Sequence, residues 1–200
     1  MTREWRDTFR ERWVAQGGHF YEASDPKALD KVLKTAWTDL VGARFPAARV
    51  VISLPADLNM WPWDAWLREA GASEVVPWDP SRDMRALAAA AEVGVTGALW
   101  LAAETGTVAV AGGPLTGLLP TVLPPVHLVI VGVDALVPTV QEGLRALYAE
   151  DGLPPMVKLI SGPSMTADIE GTLVVGVHGP GQVGVILYGN TENDGKKESA

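Results

Sequence analysis

Two hydrophobic periods divide this chain. From residue 2 to about residue 22, charged and apolar positions interleave, and Trp5, Phe9 and Trp13 recur at i, i+4 and i+8. That spacing predicts a helix with a single aromatic stripe, packed on its own domain. A stripe at a terminus also suits docking on a partner chain. A second helix is predicted from Asp25-Pro26, with proline in its first turn, to about Phe45. Val32, Leu33, Ala36, Trp37 and Leu40 form its buried face.

Beyond residue 46 short apolar runs take over. Strands are predicted at Arg49–Leu54, Glu74–Trp78, Val93–Thr96, Thr107–Ala111, Val126–Val133, Met156–Ile160 and Val183–Tyr188. Between them come helices at Pro62–Ala70, closed by Gly71, at Ser81–Glu92 and at Pro138–Glu150, and one helical turn through Ala98–Ala103. Strands that alternate with helices and are apolar on both faces predict an α/β fold, a mainly parallel sheet flanked by helices. The chain divides into an N-terminal helical segment, 1–46, packing on the main domain, an α/β domain, 47–189, and a polar tail, 190–200, read as disordered. In sheets of this kind ligands sit beyond the carboxyl ends of the strands.

Composition narrows the function classes. With 200 residues, 48% of them hydrophobic, the chain can bury a full core. It has no cysteine, which rules out disulfides, thiolate zinc sites, a cysteine nucleophile and iron–sulfur ligation by this chain. The net charge of −8 and the lack of a basic run argue against nucleic acid as a partner. The charged start lacks the apolar core of a signal peptide, and no apolar run is long enough for a membrane span. The expectation is a cytoplasmic protein that holds no metal and no cofactor.

The densest chemistry lies in residues 161–180, between two Gly-Pro turns. The block begins where the Met156–Ile160 strand ends. Ser161, Gly162 and Ser164 can offer hydroxyls and backbone N–H groups to an anion; Ser164, Thr166 or Asp168 can equally cap a helix. On a strand Thr166, Asp168, Glu170 and Thr172 share one face, while on a helix Asp168 and Glu170 diverge; both remain open. Asp168 and Glu170 with His178 lack the nitrogen ligands and spacing of a metal site. His178, beside the turn through Gly179, is read either as a proton donor or anion contact or as a satisfied structural group. His127, behind Pro124-Pro125, is read as a strand-edge hydrogen bond, and His19 as exposed. A second block, Ala103-Glu104-Thr105-Gly106-Thr107, enters a strand through a glycine turn. Taken alone, its spacing fits an ordinary turn with a solvated Glu104. The run Ala111-Gly112-Gly113-Pro114 after that strand is neither GxGxxG nor GxxxxGK[ST], and a GxSxG elbow is missing.

These residues resemble the LUD (lactate utilisation) domain family, specifically its lactate-utilisation protein C type. The resemblance rests on Ala103–Thr107, on Leu123-Pro124-Pro125-Val126-His127, and most on Ile160–Ser164 with Thr166–Glu170 and Gly176–Pro180. These motifs follow the family's order over residues 90–188. The resemblance implies a fold similar to the group of CoA-transferases, ribose-phosphate isomerase and glucosamine-phosphate deaminase. It also implies service in oxidising lactate to pyruvate beside two iron–sulfur partner proteins. By the same resemblance Met165 stands where the family commonly has a basic residue; if that residue binds an anionic ligand, the contact is lost or altered in this chain.

The leading expectation is therefore a cluster-free accessory subunit of a lactate-oxidising system, whose α/β domain binds a small anionic metabolite or an acyl carrier. The alternative is a stand-alone enzyme or binding protein for a small phosphorylated or CoA-linked metabolite. There Glu104 acts as base or nucleophile, His178 as proton donor, and Asp168 serves the ligand or orients His178. Thr105, Gly106, Ser161, Gly162, Ser164, Thr166, Glu170 and Gly179 are the expected ligand contacts. A third possibility is an interaction protein whose polar block is purely structural. Ser161, Ser164, Asp168 and His178 are expected to meet Glu104 around one cleft at the carboxyl edge of the sheet.

Overall fold

The computed structural model of the protein describes residues 2–113, 116–149, 153–167 and 173–189. In chain order the elements are α1 (Thr2–Ala15), β1 (His19–Ala23), α2 (Leu29–Leu40), β2 (Arg49–Ser53), α3 (Trp63–Ala70), β3 (Glu74–Pro77), α4 (Met84–Ala89), β4 (Val93–Gly97), β5 (Trp100–Ala102), β6 (Thr107–Gly112), β7 (Val126–Gly132), β8 (Leu136–Val137), α5 (Val140–Ala149), β9 (Met156–Ile160), β10 (Met165–Ala167), β11 (Leu173–Val175) and β12 (Gln182–Tyr188). A six-stranded sheet, ordered β1-β12-β7-β4-β2-β3, is parallel throughout. A smaller sheet, β8-β5-β6-β9, mixes directions: β6 runs antiparallel to both β5 and β9. β10 and β11 form a separate antiparallel hairpin. The fold is α/β with a mainly parallel central sheet, as the alternation of strands and helices predicts.

The strongest apolar run, β7, is buried on both faces. Val126, Leu128 and Ile130 join the core beneath α2 and α3. Val129 and Val131 join a second core that includes Phe9 and Trp13 of α1 and Val108, Val110 and Ile160 of the small sheet. The layers are thus helices, parallel sheet, mixed sheet and finally α5, which packs Leu147 against Trp100 and Ala109. Among the described residues no helix is long and apolar enough to cross a membrane.

The aromatic stripe of α1 packs on its own domain. Phe9 and Trp13 are fully buried, and Trp5 packs against the same cluster. Burying a side chain such as Phe9 contributes about 1.5–3 kcal/mol, so presenting the stripe to another chain would dismantle this core.

Four element predictions differ from the structure, and one of them is the second helix, which is α-helical only over Leu29–Leu40. The first helix does not reach residue 22: it ends at Ala15, and His19–Ala23 is an edge strand paired with β12. Gly17, at φ +84°, turns the chain, and a Cβ at Gly18 would sit 2.3 Å from the Trp13 indole. The Trp13 Nε1 then donates to the His19 carbonyl at 2.9 Å, which fixes helix to strand. Ala98–Ala103 is not a helical turn, because Trp100–Ala102 finds antiparallel partners in β6. The helix predicted over 81–92 keeps only Met84–Ala89, capped by the Asp83 side chain on the Ala86 N–H.

Candidate functional site

A cleft of about 270 Å³ opens where the two sheets meet. One side is the end of β9, Lys158–Ile160, continuing through Ser161–Ser164. The other holds His127 and Val183, each the second residue of its strand, and Thr121 from the turn before β7. The site therefore lies at the carboxyl end of β9 but at the amino ends of β7 and β12. This corrects the expectation of a carboxyl-edge site on one parallel sheet. β9 belongs to the mixed sheet, so its carboxyl end overlies the opposite edge of the parallel one.

The sheet side of the cleft carries buried polar groups. His127, read as a strand-edge hydrogen bond, does make one, but it is completely buried. Its Nε2 lies 2.9 Å from the Thr96 hydroxyl, while its Nδ1 has no hydrogen-bond partner among the described residues. Loss of hydration, and then the positive charge of Lys158, push its pKa down from 6.5 to about 3, so the ring is neutral at physiological pH. Lys158 faces the layer between the sheets in line with Ile160, opposite Val110 of β6. Its Nζ donates to the Thr121 carbonyl at 2.9 Å and the Thr121 hydroxyl at 3.1 Å. Burial lowers its pKa from the usual 10.5.

The loop side is more open. Ser161 Oγ lies 2.9 Å from Thr107 Oγ1, which lies 2.7 Å from Thr105 Oγ1. This row of three hydroxyls joins the two polar blocks that the sequence separates by more than fifty residues. Gln16, just beyond α1, donates to the Thr105 carbonyl at 3.0 Å. Gly162 sits at φ +96°, where an added Cβ would meet the Gln16 carbonyl oxygen at 2.7 Å. Ser164 exchanges backbone bonds with the far turn: its N–H donates to the Pro180 carbonyl, and its carbonyl accepts from Gly176 N–H. Gly179 and the exposed His178 complete that rim.

The structure thus brings Ser161, Gly162, Ser164, His178 and Gly179 into one cleft. Thr105 reaches it through the hydroxyl row. Gly106, at φ +59°, instead lies against the backbone of Arg12 and Trp13. Glu104 is exposed and is not among the lining residues, and Thr166 is exposed on β10. Asp168 and Glu170 lie outside the described residues. Val174 and Val175 of β11 are 45% and 51% exposed. Sequence reasoning passed over Lys158 and Thr121. A lone lysine inside Met-Val-Lys-Leu-Ile was the available signal, because a charge seldom enters an apolar strand without a task.

The LUD domain family model matches residues 7–188, from α1 to the last residue of β12. The chain belongs to the LUD domain family. A crystal structure of a DUF162 family protein from Deinococcus radiodurans shares the fold, with a TM-score of 0.65 at 24% identity, over 94% of this chain and 99% of that one. Two proteins named Lactate utilization protein C are similar over part of their length. The one from Halalkalibacterium halodurans is 38% identical over 113 residues, 54% of this chain and 49% of its own. The one from Exiguobacterium is 39% identical over 116 residues, 55% and 50% of the two chains. This LUD domain spans about half the length of these curated relatives. The family match takes in both walls of the cleft and the α1 residues beneath them.

Proposed function

We propose that this LUD domain protein serves lactate utilisation in the cytoplasm as a cluster-free subunit, acting beside iron–sulfur partner proteins that oxidise lactate to pyruvate. The similarity to proteins named Lactate utilization protein C carries this reading. The absence of cysteine supports a division of labour in which electrons travel through the partners. The cleft supports a ligand-binding task for this subunit, because it collects a half-buried ammonium, serine hydroxyls and a neutral imidazole. Its volume favours a small anionic metabolite over an acyl carrier. The stand-alone enzyme alternative draws less support, since Glu104 lies outside the lining residues.

Reconstitution tests the proposal. The purified chain is expected to be colourless and to lack lactate dehydrogenase activity. Mixed with iron–sulfur lactate-oxidation proteins, it is expected to co-purify with them and to raise lactate oxidation. Turnover of lactate by the chain alone would refute the subunit reading.

A further inference from the structure

A lysine is usually met by water or by a carboxylate. Lys27 and Lys31 are exposed, and Lys34 pairs with Glu69 at 2.8 Å. Lys158 is half-buried between the two sheets and bonds to two neutral oxygens, the Thr121 carbonyl at 2.9 Å and the Thr121 hydroxyl at 3.1 Å. The hydroxyl gives its own proton to the Leu118 carbonyl at 2.7 Å, so its oxygen is left to accept. Among the described residues lining the cleft no carboxylate balances Lys158, and the other titratable groups are His127 and His178. An ammonium drawn out of water towards neutral acceptors gives up a proton more readily, and burial lowers its pKa accordingly.

The same contacts orient the nitrogen. After losing one proton the amine keeps two, enough for both Thr121 oxygens, and its lone pair takes the remaining corner. Lys158 lines the cleft and is not sealed as His127 is. A desolvated lysine amine of this kind attacks carbonyl carbon. The walls select the carbonyl compound. Once Lys158 acts as an uncharged amine, no other lysine or arginine among the described lining residues remains to hold a carboxylate or phosphate. Pro163, Pro180 and Val183 offer apolar surface instead, in a volume of about 270 Å³.

We propose that Lys158 is a nucleophilic amine that captures a short, uncharged aldehyde in this cleft as an imine. The Nζ lone pair forms a bond to the aldehyde carbon, and the carbonyl oxygen takes a proton to give a carbinolamine. The carbon–oxygen bond then breaks, and the oxygen leaves as water with the two protons that the amine gave up. A protonated imine regains the positive charge and keeps one N–H for Thr121. This activity goes beyond the lactate-utilisation role and does not rest on it; an adduct at Lys158 would close the cleft to an anion.

Reductive trapping tests it. The full chain is treated near neutral pH with propionaldehyde and cyanoborohydride, which reduces an imine to a stable secondary amine, and the adducts are located by mass spectrometry. Lys158 is expected to be labelled at least about threefold faster than the exposed Lys27 and Lys31. Glyoxylate is an aldehyde that carries a carboxylate. With it, the ratio of Lys158 to Lys31 labelling is expected to fall below the propionaldehyde value. Lys158→Arg keeps a charge and donors for Thr121 and is expected to lose the fast-labelling site. The proposal is overturned if Lys158 reacts no faster than the exposed lysines, which would leave it only the tie that holds the Thr121 turn. It is also overturned if the glyoxylate ratio is the higher, or if a fast-labelling site persists in folded Lys158→Arg. The two wild-type ratios need no variant and stand even where one misfolds. No lactate-oxidation protein enters this assay, so its failure leaves the subunit reading standing, and failure of the reconstitution leaves the imine site standing.

Discussion

The two walls of the cleft carry the same kinds of group under opposite conditions. On the sheet wall His127, Thr121 and Lys158 are held by strand pairing and by the turn before β7, and His127 is stripped of water. On the loop wall Ser161 and His178 are exposed and held by turns. The contrast is sharpest between the two histidines. His127 is kept neutral by burial, whereas His178 meets solvent. A buried polar group costs stability unless its bonds are made, so the sheet wall is where structure is spent on function. The loop wall can change its residues at little cost to the fold. Met165 is 45% exposed on the hairpin beyond that wall.

The largest expected effect breaks the sheet wall. His127→Ala removes the bond to Thr96 and leaves a cavity beneath β7, and is expected to destabilise by about 2–4 kcal/mol in chemical denaturation. A cost under about 0.5 kcal/mol would mean that the ring is not packed as described. Gly94→Ala attacks the same wall from behind. A Cβ there would lie 1.9 Å from the Pro120 carbonyl oxygen, pushing on the turn whose Thr121 holds Lys158. Overpacking of this kind is expected to cost about 1–3 kcal/mol in chemical denaturation.

Acid sharpens the comparison without a cavity. The unfolded chain protonates His127 near 6.5, the folded one only near 3. Between those values the unfolded state binds the extra proton, so stability falls as the pH drops, by up to about 1.4 kcal/mol per pH unit. Above 6.5 both states are neutral and the contribution is constant. His127→Gln is expected to show a shallower loss between pH 6.5 and 5 in urea midpoints than the wild type, since the carboxylates titrate alike in both. An unchanged slope would show that His127 protonates freely in the fold. The smallest effect belongs to the loop wall: His178→Ala is expected to change stability by less than about 0.5 kcal/mol. A larger loss in thermal unfolding would erase the distinction between the walls.

Legibility in the sequence follows the same division. The loop wall was readable because turns are written locally: Gly-Pro pairs with serines and a histidine mark bends that expose polar groups, and Ser161, Gly162, Ser164, His178 and Gly179 do line the cleft. The sheet wall was not. His127 read as a strand-edge group because its burial comes from a second sheet laid over β7, and Lys158 gained meaning only when Thr121, some 37 residues earlier, reached its ammonium. Glu104 looked like a partner of the block because both adjoin strand ends, yet the turn that carries it faces solvent.

By itself the sequence determined the α/β class, most strand positions and the buried face of α2, because periodicity and burial are local consequences of side-chain chemistry. It also determined that this chain carries no thiolate ligands. Tertiary structure alone decided that His19–Ala23 leaves the first helix to edge the sheet. It also decided that Trp100–Ala102, Thr107–Gly112 and Met156–Ile160 form a second, mixed sheet, and that the cleft opens at the amino ends of β7 and β12. The physical reason is that a strand's composition encodes its wish to be buried, while its partner and its direction are settled by which distant strand completes the hydrogen bonds and closes the core.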